Sequence, residues 1–235
     1  MTFKRMILVA LAALPGCMHG GAQGDARSSK VADADVGRLG PEQEGLVTGA
    51  RQALDGARDA LSRTRLRLQQ AQNEEGTAKA DLQAAEADQK VADAQQKVAN
   101  DSREPDAVEK ARRLQERAKA HKQVADLHVE YASKLIGERE AEVQAAERQV
   151  EVAEARVEWS KLQALEQARN PAATKYDPGR FQSAVGDAQG RLDEAAQNAR
   201  SLEAEATAAR RRWEDTRRQA RPDGSSNETS TGSGQ

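Results

Sequence analysis

The chain has very few of the residues that build a compact aromatic core, a disulfide framework or a cysteine-based metal site. Its 235 residues include only 2 Trp, 2 Tyr and 2 Phe, so aromatics make up 3% of the sequence. The single cysteine, Cys17, excludes an internal disulfide and a zinc site built on several cysteines. The formal net charge of −2 argues against nucleic-acid binding by the chain as a whole. These shortages point away from an ordinary globular domain.

The chain does contain many alanines and charged residues, and its apolar positions are regularly spaced. Charged residues make up 31% of the sequence and hydrophobic residues 37%. Chains of this composition with a period near 3.5 residues form long helices or coiled coils. A mean hydropathy of −0.84 would also fit disorder. A disordered chain, however, has no reason to keep Val, Leu and Ala in phase over many turns, so we predict an all-α fold.

Between residues 105 and 170, two apolar rows repeat every seven residues and are offset by three positions, the a/d spacing of a coiled coil. One row is Val108, Val129, Ile136, Val143, Val150, Val157 and Ala164, and the other is Ala111, Ala118, Ala125, Ala132, Ala146 and Ala153. Such a helix is roughly 100 Å long and needs a partner beside it. The apolar face widens around Leu114, Val124, Leu127, Tyr131 and Leu135, which predicts contact with more than one neighbour there.

A second helix is predicted before this one, at residues 42–100. Its two rows are Val47, Leu54, Leu61, Leu68 and Leu82, and Ala50, Ala57, Ala71, Ala78, Ala85, Ala92 and Ala99. Val91 and Val98 lie off both rows, which predicts a slip in the seam after Leu82. Gly76 is the expected weak point within this helix, because glycine lowers helix stability by up to about 1 kcal/mol relative to alanine.

A third helix is predicted at residues 178–220, and it is too short, at about 60 Å, to cover all of its neighbour. Its rows are Phe181, Ala188, Ala195, Leu202 and Ala209, and Val185, Leu192, Ala199, Ala206 and Trp213. The short link at 100–105 contains turn-forming residues before Pro105 and predicts an antiparallel return, with a kinked continuous rod as the alternative. We therefore predict an elongated antiparallel coiled-coil bundle of three long helices: 42–100, 105–170 and 178–220.

The amino terminus has the features of a leader sequence. Lys4 and Arg5 precede an apolar run at residues 6–14 that is too short to span a bilayer as a stable helix. The sequence Leu14-Pro15-Gly16-Cys17 then resembles the lipobox of bacterial lipoproteins. The resemblance implies a signal peptide at 1–16 and acylation of Cys17, and Met18 in place of aspartate implies the outer membrane, facing the periplasm. The alternative is an ordinary secretory leader in which Cys17 is incidental.

The rest of the chain divides by composition. Residues 17–40 have no apolar period and are predicted to be a flexible tether, residues 41–220 form the helical domain, and residues 221–235 form a disordered tail. The segment Tyr176-Asp177-Pro178-Gly179-Arg180-Phe181, with the Ala/Leu repeat after it, resembles a short helical module of envelope lipoproteins. That module implies no particular chemistry.

We find no pattern typical of a catalytic or cofactor site. His121 and His128 are seven residues apart, about 10 Å along a helix, which is too far to share a metal ion. The carboxylates alternate with Lys and Arg, as on a solvated helix face. No glycine-rich phosphate loop is present. We therefore expect no enzyme, no cofactor, no metal and no small-molecule substrate.

One charged cluster is a candidate contact surface for anions. It lies near the end of the third helix, beside Trp213, and consists of Arg210, Arg211, Arg212, Arg217 and Arg218. These arginines could complement the helix dipole and pair locally with Glu214 and Asp215. The functional alternative is a dock for anionic lipid head groups or for the acidic face of a partner.

Together these features predict a non-enzymatic, lipid-anchored coiled-coil protein of the bacterial cell envelope. It would bind the membrane through acylated Cys17 and a protein partner, or a second copy, through its helix faces. The alternative is an accessory component of an envelope transport or secretion assembly, because the predicted hairpin resembles the periplasmic hairpins of membrane-fusion adaptors.

Overall fold

The computed structural model describes residues 30–37 and 39–220, within which all regular structure is helical. The elements are α1 (Asp33–Val36), α2 (Pro41–Ser102), α3 (Pro105–Gln167), a 3-10 helix (Pro171–Lys175) and α4 (Pro178–Gln219). The central helix is α3, which packs against α2 and against α4. The prediction of three long helices is confirmed, and each boundary lies within three residues of the predicted one.

The first two long helices form an antiparallel hairpin, so the kinked rod is excluded. Ion pairs match the two helices in opposite directions, with Arg65 2.8 Å from Glu147 and His121 3.3 Å from Asp88. At the turn, Arg103 adopts the left-handed conformation (φ 56°) and Pro105 begins α3. We call this end of the molecule the tip, and the opposite end, where α3 passes into α4, the base.

The last helix runs antiparallel to α3 and therefore parallel to α2. Lys134 lies 2.8 Å from Glu205, and Arg191 lies 3.3 Å from Glu151. Because α4 has 42 residues against 63 in α3, it stops short of the tip. The part of the bundle nearest the tip is therefore two-stranded over about 25 Å, at 1.5 Å per residue.

The seam between α2 and α3 is built on alanine. Its buried members include Ala71, Ala78, Ala85, Ala92 and Ala99 of α2, and Ala111, Ala118, Ala125 and Ala132 of α3. Alanine lets the two backbones approach closely, but each buried methyl contributes much less than the 1.5–3 kcal/mol or so of a buried leucine. The hairpin therefore depends on its length and on α4 for stability.

The predicted slip in the seam after Leu82 is wrong. The buried alanine row continues without interruption to Ala99, while Val91 and Val98 are 54% and 70% exposed. The row of Leu82 continues through Gln89 and Gln96, which are half-buried. The alanines, which permit the closest helix contact, keep the seam in register, and the two valines face outward.

At the base, part of the segment predicted as tether (17–40) is instead packed on the bundle. Val31 and Leu39 are buried, in one cluster with Phe181 of α4. The Val31 amide donates to Glu158 Oε2 (2.8 Å) and the Ala32 amide donates to the Tyr176 hydroxyl (3.0 Å). The packed body therefore includes residues before 41, among them Val31 and Leu39.

Acidic residues of α1 fix this segment in place. The Tyr176 hydroxyl donates to Asp35 Oδ2 at 2.8 Å, which lowers the pKa of Asp35. Lys161 lies 2.9 Å from both Asp33 and Glu158. Burial alone would lower the pKa of Lys161, but its hydrogen bonds to these two carboxylates leave it raised.

The leader, Cys17 and the tail at 221–235 lie outside the described residues. Within residues 30–37 and 39–220, none of the helices combines the length and the hydropathy that crossing a lipid bilayer demands.

Candidate interaction surface

The end of α4 is seated on the hairpin by a stack of aromatic rings. The Trp213 ring lies 4.3 Å from the ring of His128 and nearly parallel to it (4°), and 5.5 Å from the ring of Tyr131. Tyr131 and Leu135 are buried in a cluster that includes Ala71 of α2. The predicted contact of α3 with both neighbours is therefore confirmed at Tyr131 and Leu135. It is wrong at Leu114, which is 36% exposed in a hollow that no residue of α4 lines.

His128 connects all three long helices. Its side chain is only 14% exposed, and its two ring nitrogens lie 3.8 Å from Glu74 and 3.8 Å from Asp81 of α2. On the other side the ring stacks on Trp213 of α4. His121, by contrast, is half exposed beside Asp88. Across the part of the chain that the structure describes, no three His, Cys, Asp or Glu side chains are grouped to hold a metal ion.

Glu138 is one of two charged side chains in the described core. It is 7% exposed, two turns along α3 from Tyr131, and burial raises its pKa. Arg139, 3.1 Å away, opposes this effect. Arg139 also pairs with Glu142 at 2.7 Å, whose other carboxylate oxygen is buried without a hydrogen-bond partner.

The five predicted arginines do not form one patch. Arg210 pairs with Glu214 at 2.7 Å, Arg212 pairs with Glu130 of α3 at 2.6 Å, and Arg218 pairs with Asp215. Their side chains remain mostly exposed, so each pair contributes on the order of 0–1 kcal/mol. The pairs of Arg210 and Arg218 are the local pairing with Glu214 and Asp215 that the sequence analysis gave as the alternative to an anion dock. The pair of Arg212 adds a contact between α4 and Glu130 of α3.

The other two arginines differ from these three. The guanidinium carbon of Arg217 lies 5.6 Å from the Trp213 ring centroid, a cation–π arrangement. Arg211 is exposed and has no ion pair with any described residue. Contact between this cluster and anions stays a prediction.

Beyond the end of α4, an open groove continues along the same side of the hairpin towards the tip. It consists of two adjoining hollows of about 800 and 730 Å³ that share Arg113 and Arg117. We call it the tip groove. Its lining includes Ala94, Val98, Ala107, Lys110, Arg113, Leu114, Arg117, Ala120, Val124, Arg217 and Ala220.

The tip groove is a continuation of the seat of α4. Lys110, Arg117 and Val124 lie on one seven-residue row with Tyr131, which contacts α4. The row therefore changes from apolar to basic where α4 ends. Between the basic side chains the lining is apolar, and we call this part the floor. It includes Leu114 and Val98, which are 36% and 70% exposed.

The sequence analysis did not find this groove. Its basic residues come from α3 and α4, about a hundred positions apart in the chain, and only the antiparallel packing of α4 brings Arg217 beside Arg113 and Arg117. One signal for the groove was present in the sequence. Lys110 and Arg117 are basic residues on a seven-residue row that is apolar further along α3, at Val124 and Tyr131.

Comparison of this chain with protein-family models, with curated proteins and with solved structures finds no significant match in any of the three.

Proposed function

We propose that this chain is a non-enzymatic, lipid-anchored coiled-coil protein of the bacterial cell envelope, facing the periplasm, that serves as a structural or adaptor component through helix–helix contacts. The lipobox ending at Cys17 supplies the anchor. Several acyl chains on one residue hold a protein firmly in a membrane, whereas a single chain holds it only marginally.

The observation that carries the proposal is the separation of the two ends of the body. The anchored segment enters at the base, where Val31 and Leu39 are buried. The uncovered groove lies at the tip, and the 62 residues of α2 set the distance between these ends at roughly 90 Å. A lipid anchor at one end and a contact surface at the other suit a protein that reaches from a membrane to a partner.

Membrane fractionation tests the anchor. The wild-type protein should sediment with membranes, and Cys17→Ser, which removes the acylated thiol, should move it to the soluble fraction. Sedimentation of the Cys17→Ser protein with membranes would overturn the lipid anchor.

Site-specific photo-crosslinking in cells tests the contact role. A photoreactive amino acid at position 98, in the tip groove, should give a discrete adduct with another protein. The same amino acid at position 66 is the control, since Leu66 is 56% exposed and does not line the groove. Absence of an adduct from position 98 would contradict a contact role for the tip.

The same experiment separates the two candidate roles. The hairpin, whose tip extends past α4, also suits an accessory component of a transport or secretion assembly. Adducts with subunits of such an assembly would favour that role, and adducts with a structural envelope protein would favour the first.

A further inference from the structure

We infer that the tip groove is a docking site for an acidic amphipathic helix of another protein, an inference that rests on the proposed contact role of the tip. The first argument is continuity with the interface between α3 and α4. The groove lies beyond the end of α4, on the side of α3 against which α4 packs, and its lining includes the apolar side chains of Ala94, Val98, Ala107 and Leu114. A helix is therefore the shape that fits it.

The second argument is charge. The walls carry four cations, Lys110, Arg113, Arg117 and Arg217, against two carboxylates, Glu104 and Glu116. These six charged residues come from the lining of both hollows, and their cations outnumber their carboxylates.

Much of the positive charge on the walls is not neutralised within the chain. Glu116 lies 3.7 Å from Arg112, outside the groove. Arg113 lies 3.0 Å from Glu109. Lys110 and Arg117 have no ion pair with any residue that the structure describes. An occupant with acidic residues along both edges of its apolar stripe would supply the missing charges.

The chain's own carboxyl-terminal residues do not suit the groove. Residues 221–235 begin next to Ala220, which lines it, but they contain no Ala, Val, Leu, Ile, Met or aromatic residue. They could place no apolar side chain, other than Pro222, on the floor.

A second copy of the chain is also a poor occupant. The exposed large hydrophobic side chains available for such a contact are Leu46, Leu66, Val91, Val98 and Leu114. Leu66 lies one turn from Arg63, and Leu114 lies one turn from Lys110 and Arg117. Bringing either of these faces to the groove would place like charges against Lys110 and Arg117, which disfavours association. The charge of the walls therefore favours a helix of a different protein, with acidic character.

Two synthetic helical peptides test this inference. Both have three heptads with Leu and Ala at the a and d positions, and they differ only at e and g, which are all Glu in one and all Lys in the other. Fluorescence anisotropy measures binding to the purified full-length protein. We expect the Glu peptide to bind at least about tenfold more tightly than the Lys peptide, with a preference that shrinks as salt rises.

Variants locate the binding. Leu114→Asp places a charge on the floor and should weaken binding of the Glu peptide about tenfold or more, while Leu66→Asp, the matched control outside the groove, should leave it unchanged. Arg117→Glu should reduce the preference for the Glu peptide. Circular dichroism checks that each variant keeps its helicity, which is expected because both leucines are exposed.

Three outcomes would overturn the inference. These are equal binding of the two peptides, no saturable binding of the Glu peptide below about 1 mM, and a wild-type dimer that Leu114→Asp dissolves, which would make a second copy the occupant. The Cys17→Ser fractionation tests the anchor whatever the groove binds, and an adduct with another protein at position 98 would support the contact role even if the two peptides bound equally. Failure of the groove chemistry and failure of the proposed function are therefore distinguishable.

Discussion

Replacing Phe181 with alanine should release the base of the bundle. Phe181 is 2% exposed and lies in one cluster with Val31 and Leu39 of the amino-terminal segment and Leu162 of α3. Tyr176 meets its ring edge-on, with centroids 6.2 Å apart and planes at 84°. The ring is therefore the common contact of three parts of the chain that are far apart in sequence.

The expected loss in the free energy of unfolding follows from the burial of Phe181. Truncation of a fully buried phenylalanine to alanine lowers the free energy of unfolding by about 3–5 kcal/mol, including the cavity that it leaves. For a chain of this size each kcal/mol lowers Tm by about 2–4 °C. We therefore expect Tm to fall by roughly 6–20 °C.

Urea unfolding followed by circular dichroism measures the global loss, and amide hydrogen exchange of residues 31–36 measures the local one. Exchange of these amides should accelerate, because Val31 is buried in the same cluster as Phe181. Phe181→Leu is the control, since it keeps most of the apolar volume and should cost less than about 2 kcal/mol. A loss below about 1 kcal/mol for Phe181→Ala, or unchanged exchange at 31–36, would refute the packing described for the base.

Three further predictions concern the seam, the helix interior and acid pH. Ala78→Leu, at a seam position that is 0% exposed, should overpack the hairpin and lower the free energy of urea unfolding by about 1–3 kcal/mol, while Leu at the exposed Ala84 should have little effect. Gly76→Ala should raise the same free energy by about 0.5–1 kcal/mol, because a Cβ there meets open space; a loss would contradict the helical conformation at that position. The hydrogen bond from Tyr176 holds the pKa of Asp35 below its ordinary 3.8, so the stabilisation that Asp35 gives to the docked α1 is fully present above that pH and is lost as pH falls through the lowered pKa. Hydrogen exchange against pH should show a transition that is smaller in Asp35→Asn than in the wild type, where Asp33, whose pKa Lys161 lowers, titrates as well.

The candidate surface was only partly predictable from sequence. The arginines of α4 are a visible cluster, yet Arg212 pairs with Glu130 and Arg217 lies over Trp213. Pairing of this kind depends on which face of α4 meets α3, and composition does not encode that choice. Lys110 and Arg117 share one heptad row of α3, but basic residues on a helix are typical of a solvated face, so the groove is recognisable only once α4 is placed.

The amino-terminal segment shows the same limit on prediction. Val31 and Leu39 have no helical or strand period between them, so the sequence offers no sign that they are buried. Their burial depends on the hydroxyl of Tyr176 and the carboxylate of Glu158, which lie more than a hundred residues away and accept hydrogen bonds from the segment's backbone amides.

The sequence alone determined the three long helices and their antiparallel order, because heptad spacing and short links act locally and leave few alternatives. The resemblance of residues 14–17 to a lipobox also comes from the sequence alone, and the lipid anchor that it implies stays a prediction. Only the tertiary structure decided that Val91 and Val98 face outward, that residues 30–37 dock at the base, and that the tip groove is open. These features depend on where a helix ends relative to its neighbour and which face it presents, and such relations arise only when distant segments pack together.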